Sequence, residues 1–115
     1  MNNKEILTTA NAALANGNYE GFLEFCSEDT IWNFIGDITL RGKQAVRDWM
    51  AETYTEPPVN NVTNLIAEGD FVVATGVIAV KYKGQILNHR YCDVWRLKHG
   101  KLAEVNAYVA DRYAG

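Results

Sequence analysis

The stretch FVVATGVIAVKY-KG-QILNHRYCDVWRLK-HG-KLAEVNAYV, residues 71–109, holds three long β-rich segments separated by short glycine turns. Val62 to Glu68 adds a strand before them, across Gly69-Asp70. The predicted strands are Phe71 to Tyr82, Gln85 to Lys98 and Lys101 to Val109, and the predicted turns are Lys83-Gly84 and His99-Gly100. Because tight turns join neighbouring strands in opposite directions, this half of the chain predicts an antiparallel sheet.

The N-terminal half carries helical signals. The first predicted helix starts at a capping box of Asn2 and Glu5 and ends at Gly17. Asn18 caps a second helix that uses Phe25 and Cys26 on its apolar face. A strand from Thr30 to Ile35 follows, and a third helix runs from Lys43 to about Tyr54, where Pro57-Pro58 stops it.

Two of the predicted strands are longer than the usual strand, so they must twist and bend, and Gly76 marks a bulge or kink. A bent sheet has a concave side that three amphipathic helices can cover. The predicted fold class is therefore α+β, with a curved antiparallel sheet wrapped around three N-terminal helices. This is a cone-shaped half-barrel with an internal pocket, formed by a single domain over residues 1–115.

Composition argues against several functional classes, among them nucleic-acid-binding and membrane-spanning proteins. The chain has 115 residues, a net charge of −3 and 22% charged residues, without the basic stripe of a nucleic-acid-binding protein. The longest apolar-rich stretch, Phe71 to Val80, is too short to cross a membrane, and the N-terminus lacks a signal-peptide core, so a cytoplasmic protein is expected. Cys26 and Cys92 favour buried thiols over a disulfide or a metal site. No cofactor motif and no metal-ligand cluster is found in the sequence.

The segment from Asn88 to Lys98 suggests a candidate site. Alternate side chains of a strand point to opposite faces, so Trp95 and Leu97 share the inner face and Arg96 lies on the other. The same alternation places three polar or aromatic side chains inward: His89, Tyr91 and Asp93. Asp93 fits either a position near a mouth with a structural partner, or a carboxyl group in an apolar pocket with a shifted pKa. His89 fits a rim histidine better than a catalytic base.

Several short patterns carry a resemblance to a known family. They are Gly17-Asn18 before the second helix, Ser27-Glu28-Asp29-Thr30-Ile31-Trp32, Leu40-Arg41-Gly42-Lys43-Gln44-Ala45-Val46, and Cys92-Asp93-Val94-Trp95-Arg96 running to His99-Gly100-Lys101-Leu102. In this order over nearly the whole chain, they resemble the nuclear transport factor 2-like superfamily, in particular its SnoaL-like and ketosteroid-isomerase-like branch. The resemblance implies the cone fold, but the scaffold hosts enzymes, cyclases and plain binding domains.

The resemblance also allows two reactions to be compared residue by residue. Ketosteroid isomerase needs a carboxylate base, a tyrosine and a protonated aspartic acid. Asp93 resembles the aspartic acid, but Asn33 stands at the base position and Ala10 near the tyrosine position, so this mechanism is not expected. Asn33 also resembles the water-holding asparagine of limonene-epoxide hydrolase. The strand that would carry that enzyme's Arg and Asp is apolar over residues 76–80, and the last strand reads Asn106-Ala107-Tyr108 where its second Asp would sit.

Two functional hypotheses remain open. In the first, the domain binds a small apolar or aromatic molecule, with isomerase, cyclase or dehydratase activity as a further expectation and with Asp93 and Asn33 as the catalytic candidates. The predicted pocket-lining residues are Trp32, Phe34, Tyr54, His89, Tyr91 and Trp95, although most of these aromatics also fit ordinary core packing. A pocket around Asp93 favours this hypothesis, and we expect Asp93 to be partly protonated near neutral pH unless His89 or Arg112 reaches it.

In the second hypothesis, the domain is a non-catalytic association module. It would form a homodimer through the outer face of the sheet. The predicted outer-face residues are Arg90, Cys92, Val94, Asn106 and Tyr108. A filled interior favours this hypothesis.

Overall fold

The computed structural model describes residues 1–110. The helices are α1 (Asn3–Ala15), α2 (Tyr19–Leu23) and α3 (Lys43–Thr53). The strands are β1 (Cys26–Phe34), β2 (Thr39–Arg41), β3 (Val59–Glu68), β4 (Phe71–Tyr82), β5 (Gln85–Lys98) and β6 (Lys101–Val109). The six strands form one curved, open sheet in the order β2-β1-β6-β5-β4-β3, which confirms the α+β cone fold.

The local signals of the N-terminal half explain the ends of α1. The side chain of Asn2 accepts a hydrogen bond from the Glu5 backbone at 2.9 Å, and Glu5 accepts one from the Asn2 backbone at 3.0 Å. Gly17 follows the C-cap of α1 with φ +78°, a conformation that favours glycine. The capping box and the glycine stop predicted from the sequence are both confirmed.

The second helix is shorter than predicted. It ends at Leu23, and Cys26 already belongs to β1, where it pairs with Leu102 of β6. Thr30, which is fully buried, donates a hydrogen bond to the Leu102 carbonyl oxygen at 3.0 Å. Pairing with a strand that lies some 70 residues later, not a local signal, makes this segment extended.

The sheet also departs from a purely antiparallel arrangement. β1 and β6 run parallel, whereas all other neighbouring strands are antiparallel. No hairpin joins β1 to β6, so turn chemistry does not constrain their relative direction. The short strand β2, which was not predicted, pairs antiparallel with β1 through Trp32 and Leu40.

The bulge predicted at Gly76 lies on the neighbouring strand instead. Gly76 pairs regularly with Tyr91 of β5, while the register of β3 shifts between Val62 and Asn64, directly opposite Gly76. A side chain at Gly76 would place its Cβ in steric clash with the backbone carbonyl oxygen of Asn61. The glycine is therefore required for the close approach of two strands.

The core lies between the helices and one face of the sheet. Its largest fully buried side chains include Leu7 of α1, Phe22 of α2, Met50 of α3 and Val72 of β4. None of the helices within residues 1–110 has the length and apolar character needed to cross a membrane. Because helices cover only this inner face, the cavity described next forms between helices and sheet.

Candidate functional site

A cavity of about 480 Å³ lies between the inner face of the sheet and the helices. At one end its walls are buried, with Phe22, Trp32, Trp95 and Val105 all at most 6% exposed. At the other end Ile35, Tyr82 and Val109 are 44–46% exposed. The cavity thus has an apolar floor and a mouth near the β1–β2 loop and the end of β6, and its size suits a small-molecule ligand.

The strand register fixes the depth of each side chain on β5. Trp95, opposite Val105 and Val72, lies at the floor, and Asp93 comes next, opposite Ala107 and Ala74. Tyr91 follows opposite Gly76, and His89 lies opposite Ile78 nearer the mouth. The inward alternation predicted for these four side chains therefore corresponds to a series that runs from floor to mouth.

Asp93 is half-buried in the cavity wall and has no hydrogen bond or ion pair within residues 1–110. Among the described residues that line the cavity, none is a Lys or an Arg. Burial without a counter-charge raises the pKa of Asp93 to about 7. Arg112, one of the two groups named above as able to oppose this shift, lies outside the described residues.

Two tyrosines border the same part of the cavity. Burial, then the negative charge of Asp93, then Tyr19 raise the pKa of Tyr54, whose hydroxyl has no hydrogen-bond partner within residues 1–110. Burial raises the pKa of Tyr91 to about 12, helped by the charge of Asp93 and opposed by a hydrogen bond with Asn60. Both tyrosines therefore keep their protons at neutral pH and can donate hydrogen bonds.

Aromatic rings form a continuous wall. Trp32 packs edge-on against Phe22 at 5.7 Å and Trp95 at 5.8 Å, measured between ring centroids. Phe34 lies 5.1 Å from Trp49, and Trp49 lies 5.3 Å from Tyr54. The predicted wall residues Trp32, Phe34, Tyr54 and Trp95 all line the cavity, and they also pack against one another.

Asn33 does not face the cavity. Trp32 and Phe34 on either side of it line the cavity, so Asn33 points to the opposite face of β1. There its side chain donates to the Asn106 amide oxygen at 3.4 Å and accepts from the Thr39 hydroxyl at 3.0 Å. The expectation that Asn33 faces a ligand is wrong, because it is incompatible with inward positions for both of its neighbours.

His89 lines the cavity near its mouth. Its Nδ1 lies 3.2 Å from the carbonyl oxygen of Ala110. It is four residues from Asp93 on the same strand, a separation of roughly 13 Å. This distance keeps His89 from pairing with Asp93, so it does not oppose the rise in the pKa of Asp93.

Asn11, Trp49 and Asn60 are among the lining residues that were not predicted. Asn11 lies four residues after Leu7 and three before Leu14, so helical periodicity alone would have placed it on the buried face of α1. Trp49 lies on α3, and its side chain reaches the cavity. Asn60 lies before the predicted start of its strand, and no sequence signal identified it.

The described residues show no metal cluster. Within residues 1–110, no three His, Cys, Asp or Glu side chains are grouped closely enough to hold a metal ion. The polar groups that line the cavity are the carboxyl groups of Asp37 and Asp93, the imidazole of His89, tyrosine and threonine hydroxyls, and the amides of Asn11 and Asn60.

Comparison with known proteins identifies the family. The model of the SnoaL-like domain matches residues 7–105. The chain belongs to this family. The resemblance inferred from the short sequence patterns is thus confirmed, and no curated protein matches the sequence.

Solved structures share the fold of this SnoaL-like domain. An NTF2-like protein of unknown function from Burkholderia pseudomallei K96243 is 17% identical with a TM-score of 0.82, covering 96% of this chain and 92% of that one. An LEH-like epoxide hydrolase from M. tuberculosis is 14% identical with a TM-score of 0.83, covering 92% and 80%. TerC, co-crystallised with polyporic acid, is 18% identical with a TM-score of 0.78, covering 92% and 89%. At these identities the likeness concerns the fold.

Proposed function

We propose that this SnoaL-like domain binds a small, uncharged apolar or aromatic molecule that carries a carbonyl oxygen. The observation that supports the proposal is the carboxyl group of Asp93, which lies unpaired within residues 1–110 in the wall of an apolar cavity. A neutral carboxylic acid donates a hydrogen bond, and a ligand carbonyl oxygen accepts one. The absence of Lys and Arg among the described lining residues disfavours anionic ligands.

Two similar structures are consistent with a ligand in this cavity. TerC was crystallised with polyporic acid, and another neighbour is an epoxide hydrolase. In this chain the aromatic wall of Trp32, Phe34 and Trp49 offers flat surfaces to a ring system. The proposed ligand would place its rings against this wall and its carbonyl oxygen against Asp93.

The test uses two probes of nearly the same shape, 2-acetylnaphthalene and 2-isopropenylnaphthalene, which differ in one carbonyl oxygen. Calorimetric titration at pH 6 should show tighter binding of the ketone. At pH 8.5 this preference should disappear, because Asp93 loses its proton above a pKa of about 7 and its carboxylate repels the carbonyl oxygen.

Variants at Asp93 provide the matched controls. Asp93→Asn keeps an N–H donor at every pH, so it should prefer the ketone at both pH values. Asp93→Leu should bind both probes equally at both. If the wild type binds neither probe, or binds both equally at pH 6, the proposed function is wrong.

A catalytic extension rests on the same carboxyl group. In an isomerase, cyclase or dehydratase reaction, a base takes a proton from the carbon beside the carbonyl, and the C–H electron pair forms the enolate double bond. The negative charge then sits on the oxygen, where a hydrogen bond from Asp93 stabilises it. With a buffer base in D2O at pD 6, the wild type should accelerate deuterium exchange of the acetyl methyl protons of 2-acetylnaphthalene. Asp93→Leu should not, and equal rates would contradict the extension.

We also propose that the domain forms a homodimer through the outer face of its sheet. Register places Val94 between Val73 of β4 and Asn106 of β6 on this face, and Ile66 lies beyond Val73. Ile66 is 60% exposed and Tyr108 is 48% exposed. An apolar patch of this kind is typical of a contact between copies, and the association module then coexists with the ligand cavity on the opposite face.

A further inference from the structure

Asn60 is a polar residue of the cavity that stands apart from Asp93. It lies on the edge strand β3, and its side chain lines the cavity. Its Oδ1 accepts a hydrogen bond from the Tyr91 hydroxyl at 2.5 Å. Its Nδ2 group has no hydrogen-bond partner within residues 1–110.

The contact with Tyr91 engages the oxygen of the Asn60 amide. The tyrosine hydroxyl is the donor, since an amide oxygen has no proton to give. Both N–H groups of Asn60 are left available for another acceptor.

The position of Tyr91 requires a residue without a side chain at the facing position of β4. It pairs with Gly76, and a Cβ at Gly76 would lie 2.8 Å from the Tyr91 hydroxyl oxygen and 3.0 Å from Cζ. The glycine thus lets the tyrosine ring lie across β4 and reach β3. Gly76, Tyr91 and Asn60 form a single arrangement, in which the first two residues position the third.

The donor of Asn60 lies at a different depth from Asp93. Asn60 is opposite Ile78, and Ile78 is opposite His89, so Asn60 belongs to the same row of the sheet as His89, nearer the mouth. That row is four residues along β5 from Asp93, on the order of 13 Å measured between backbone positions. One ligand oxygen cannot lie at the backbone position of Asn60 and at that of Asp93 at once. The two side chains span part of the distance between these positions.

We propose that Asn60 is a specificity-determining residue of the cavity, which donates a hydrogen bond to a second oxygen acceptor on the ligand, nearer the mouth than the oxygen that meets Asp93. This inference rests on the proposed ligand-binding function and adds to it a ligand class. The ligand is an uncharged flat apolar molecule with two separate oxygen acceptors. A ligand with an apolar group at this point would bury the Asn60 donor without an acceptor, which is costly, so the cavity discriminates against such ligands.

The test compares 2-acetyl-6-methoxynaphthalene with 2-acetyl-6-ethylnaphthalene, which differ in one ether oxygen at the end away from the ketone. Calorimetric titration at pH 6 should show the wild type binding the methoxy compound about tenfold more tightly than the ethyl compound. Asn60→Leu should bind both compounds equally, because it removes the donor that disfavours the ethyl compound. Tyr91→Phe should reduce the preference, because the amide is then free to rotate.

Asn61→Leu is the matched control. It removes the same amide from the next position of β3, which points to the opposite face, and it should keep the preference. If Asn60→Leu binds both ketones and still prefers the methoxy compound tenfold, the role of Asn60 is wrong and the proposed function stands. If the wild type binds both ketones equally, the role of Asn60 is likewise wrong. If neither ketone binds to the wild type, the proposed function itself is wrong, and this inference falls with it.

Discussion

At the scale of single residues, the state of Asp93 depends on side chains that other elements bring to it. Its own strand supplies Tyr91 and Trp95, while Tyr54 comes from the C-cap of α3. None of these carries a positive charge, so the carboxylate gains no partner in exchange for its lost hydration. The free energy of ionising Asp93 is therefore higher in the folded than in the unfolded chain.

This difference predicts a pH-dependent stability. The pKa of Asp93 is about 7 in the folded chain, against 3.8 for an exposed aspartate side chain, so the folded state holds its proton more tightly. Below the unfolded pKa both states are protonated and the residue costs nothing. Stability is then lost as pH rises from about 4 to about 7, by on the order of 4 kcal/mol at about 1.4 kcal/mol per pKa unit.

Asp93→Asn removes this titration while it preserves the shape of the side chain. Urea unfolding at several pH values should show the variant close to the wild type at pH 4 and increasingly more stable up to pH 7, with a constant difference above. Asp37→Asn, at the exposed mouth of the cavity, controls for the loss of one negative charge. A variant less stable than the wild type at pH 8 would mean that Asp93 is a paired anion.

At the scale of elements, the close approach of β3 to β4 depends on Gly76. Gly76→Ala would place a Cβ against both the Asn61 carbonyl oxygen and the Tyr91 hydroxyl. Overpacking of this kind typically costs roughly 1–3 kcal/mol, and backbone is a less yielding neighbour than a side chain. We expect Gly76→Ala to lower the free energy of unfolding, measured in urea, by at least about 2 kcal/mol. Amide exchange in β3 should also become faster.

Two further variants test whether the backbone contact with Asn61 causes this loss of stability. Gly84→Ala meets nothing within 4 Å and carries only the strain of its φ of +79°, about 1–2 kcal/mol. Removing the hydroxyl in the double variant Gly76→Ala/Tyr91→Phe should not restore stability, because the Asn61 oxygen remains in place. Full rescue by the double variant would place the strain on the tyrosine instead of the backbone.

The junction of β1 with β6 gives a second prediction for an element. Thr30→Val keeps a β-branched side chain but removes the donor to the Leu102 carbonyl oxygen. Since Thr30 is fully buried, water cannot replace the donor, and a loss of roughly 1–2 kcal/mol in the free energy of unfolding is expected. Thr39→Val, at an exposed position of β2, should change the free energy of unfolding by less than about 0.5 kcal/mol. Equal effects at the two sites would show that the buried hydrogen bond contributes little.

At the scale of the whole molecule, the sheet has two faces with different roles. Its concave face borders the core and cavity, and its outer face carries the patch around Val94. Val94→Arg should convert the proposed dimer into a monomer in sedimentation equilibrium, because pairing across a two-fold axis would bring two arginines together in a desolvated contact. Ile86→Arg, on the same face of β5 but some 26 Å along the strand, should remain dimeric. A dimeric Val94→Arg variant would place the contact elsewhere.

The sequence alone determined α1, α3, the start of α2, the three long hairpin strands and the inward series from His89 to Trp95. Each of these is set by interactions between residues close in the chain: capping groups, glycine turns and alternation along a strand. It also held the information to exclude Asn33 from the cavity, because both of its neighbours were assigned inward.

Only the tertiary structure decided the early start of β1, its parallel pairing with β6, and the position of Asn60 in the cavity. These depend on contacts between segments far apart in sequence, which no local pattern encodes. The requirement for glycine at position 76 also depends on contacts between segments far apart in sequence. Its lack of a side chain matters because Tyr91 and Asn61, from two neighbouring strands, approach the same point. The depth of Asp93, and with it the rise in its pKa, follows from how helices and sheet close around it, since desolvation depends on every element that excludes water from the group.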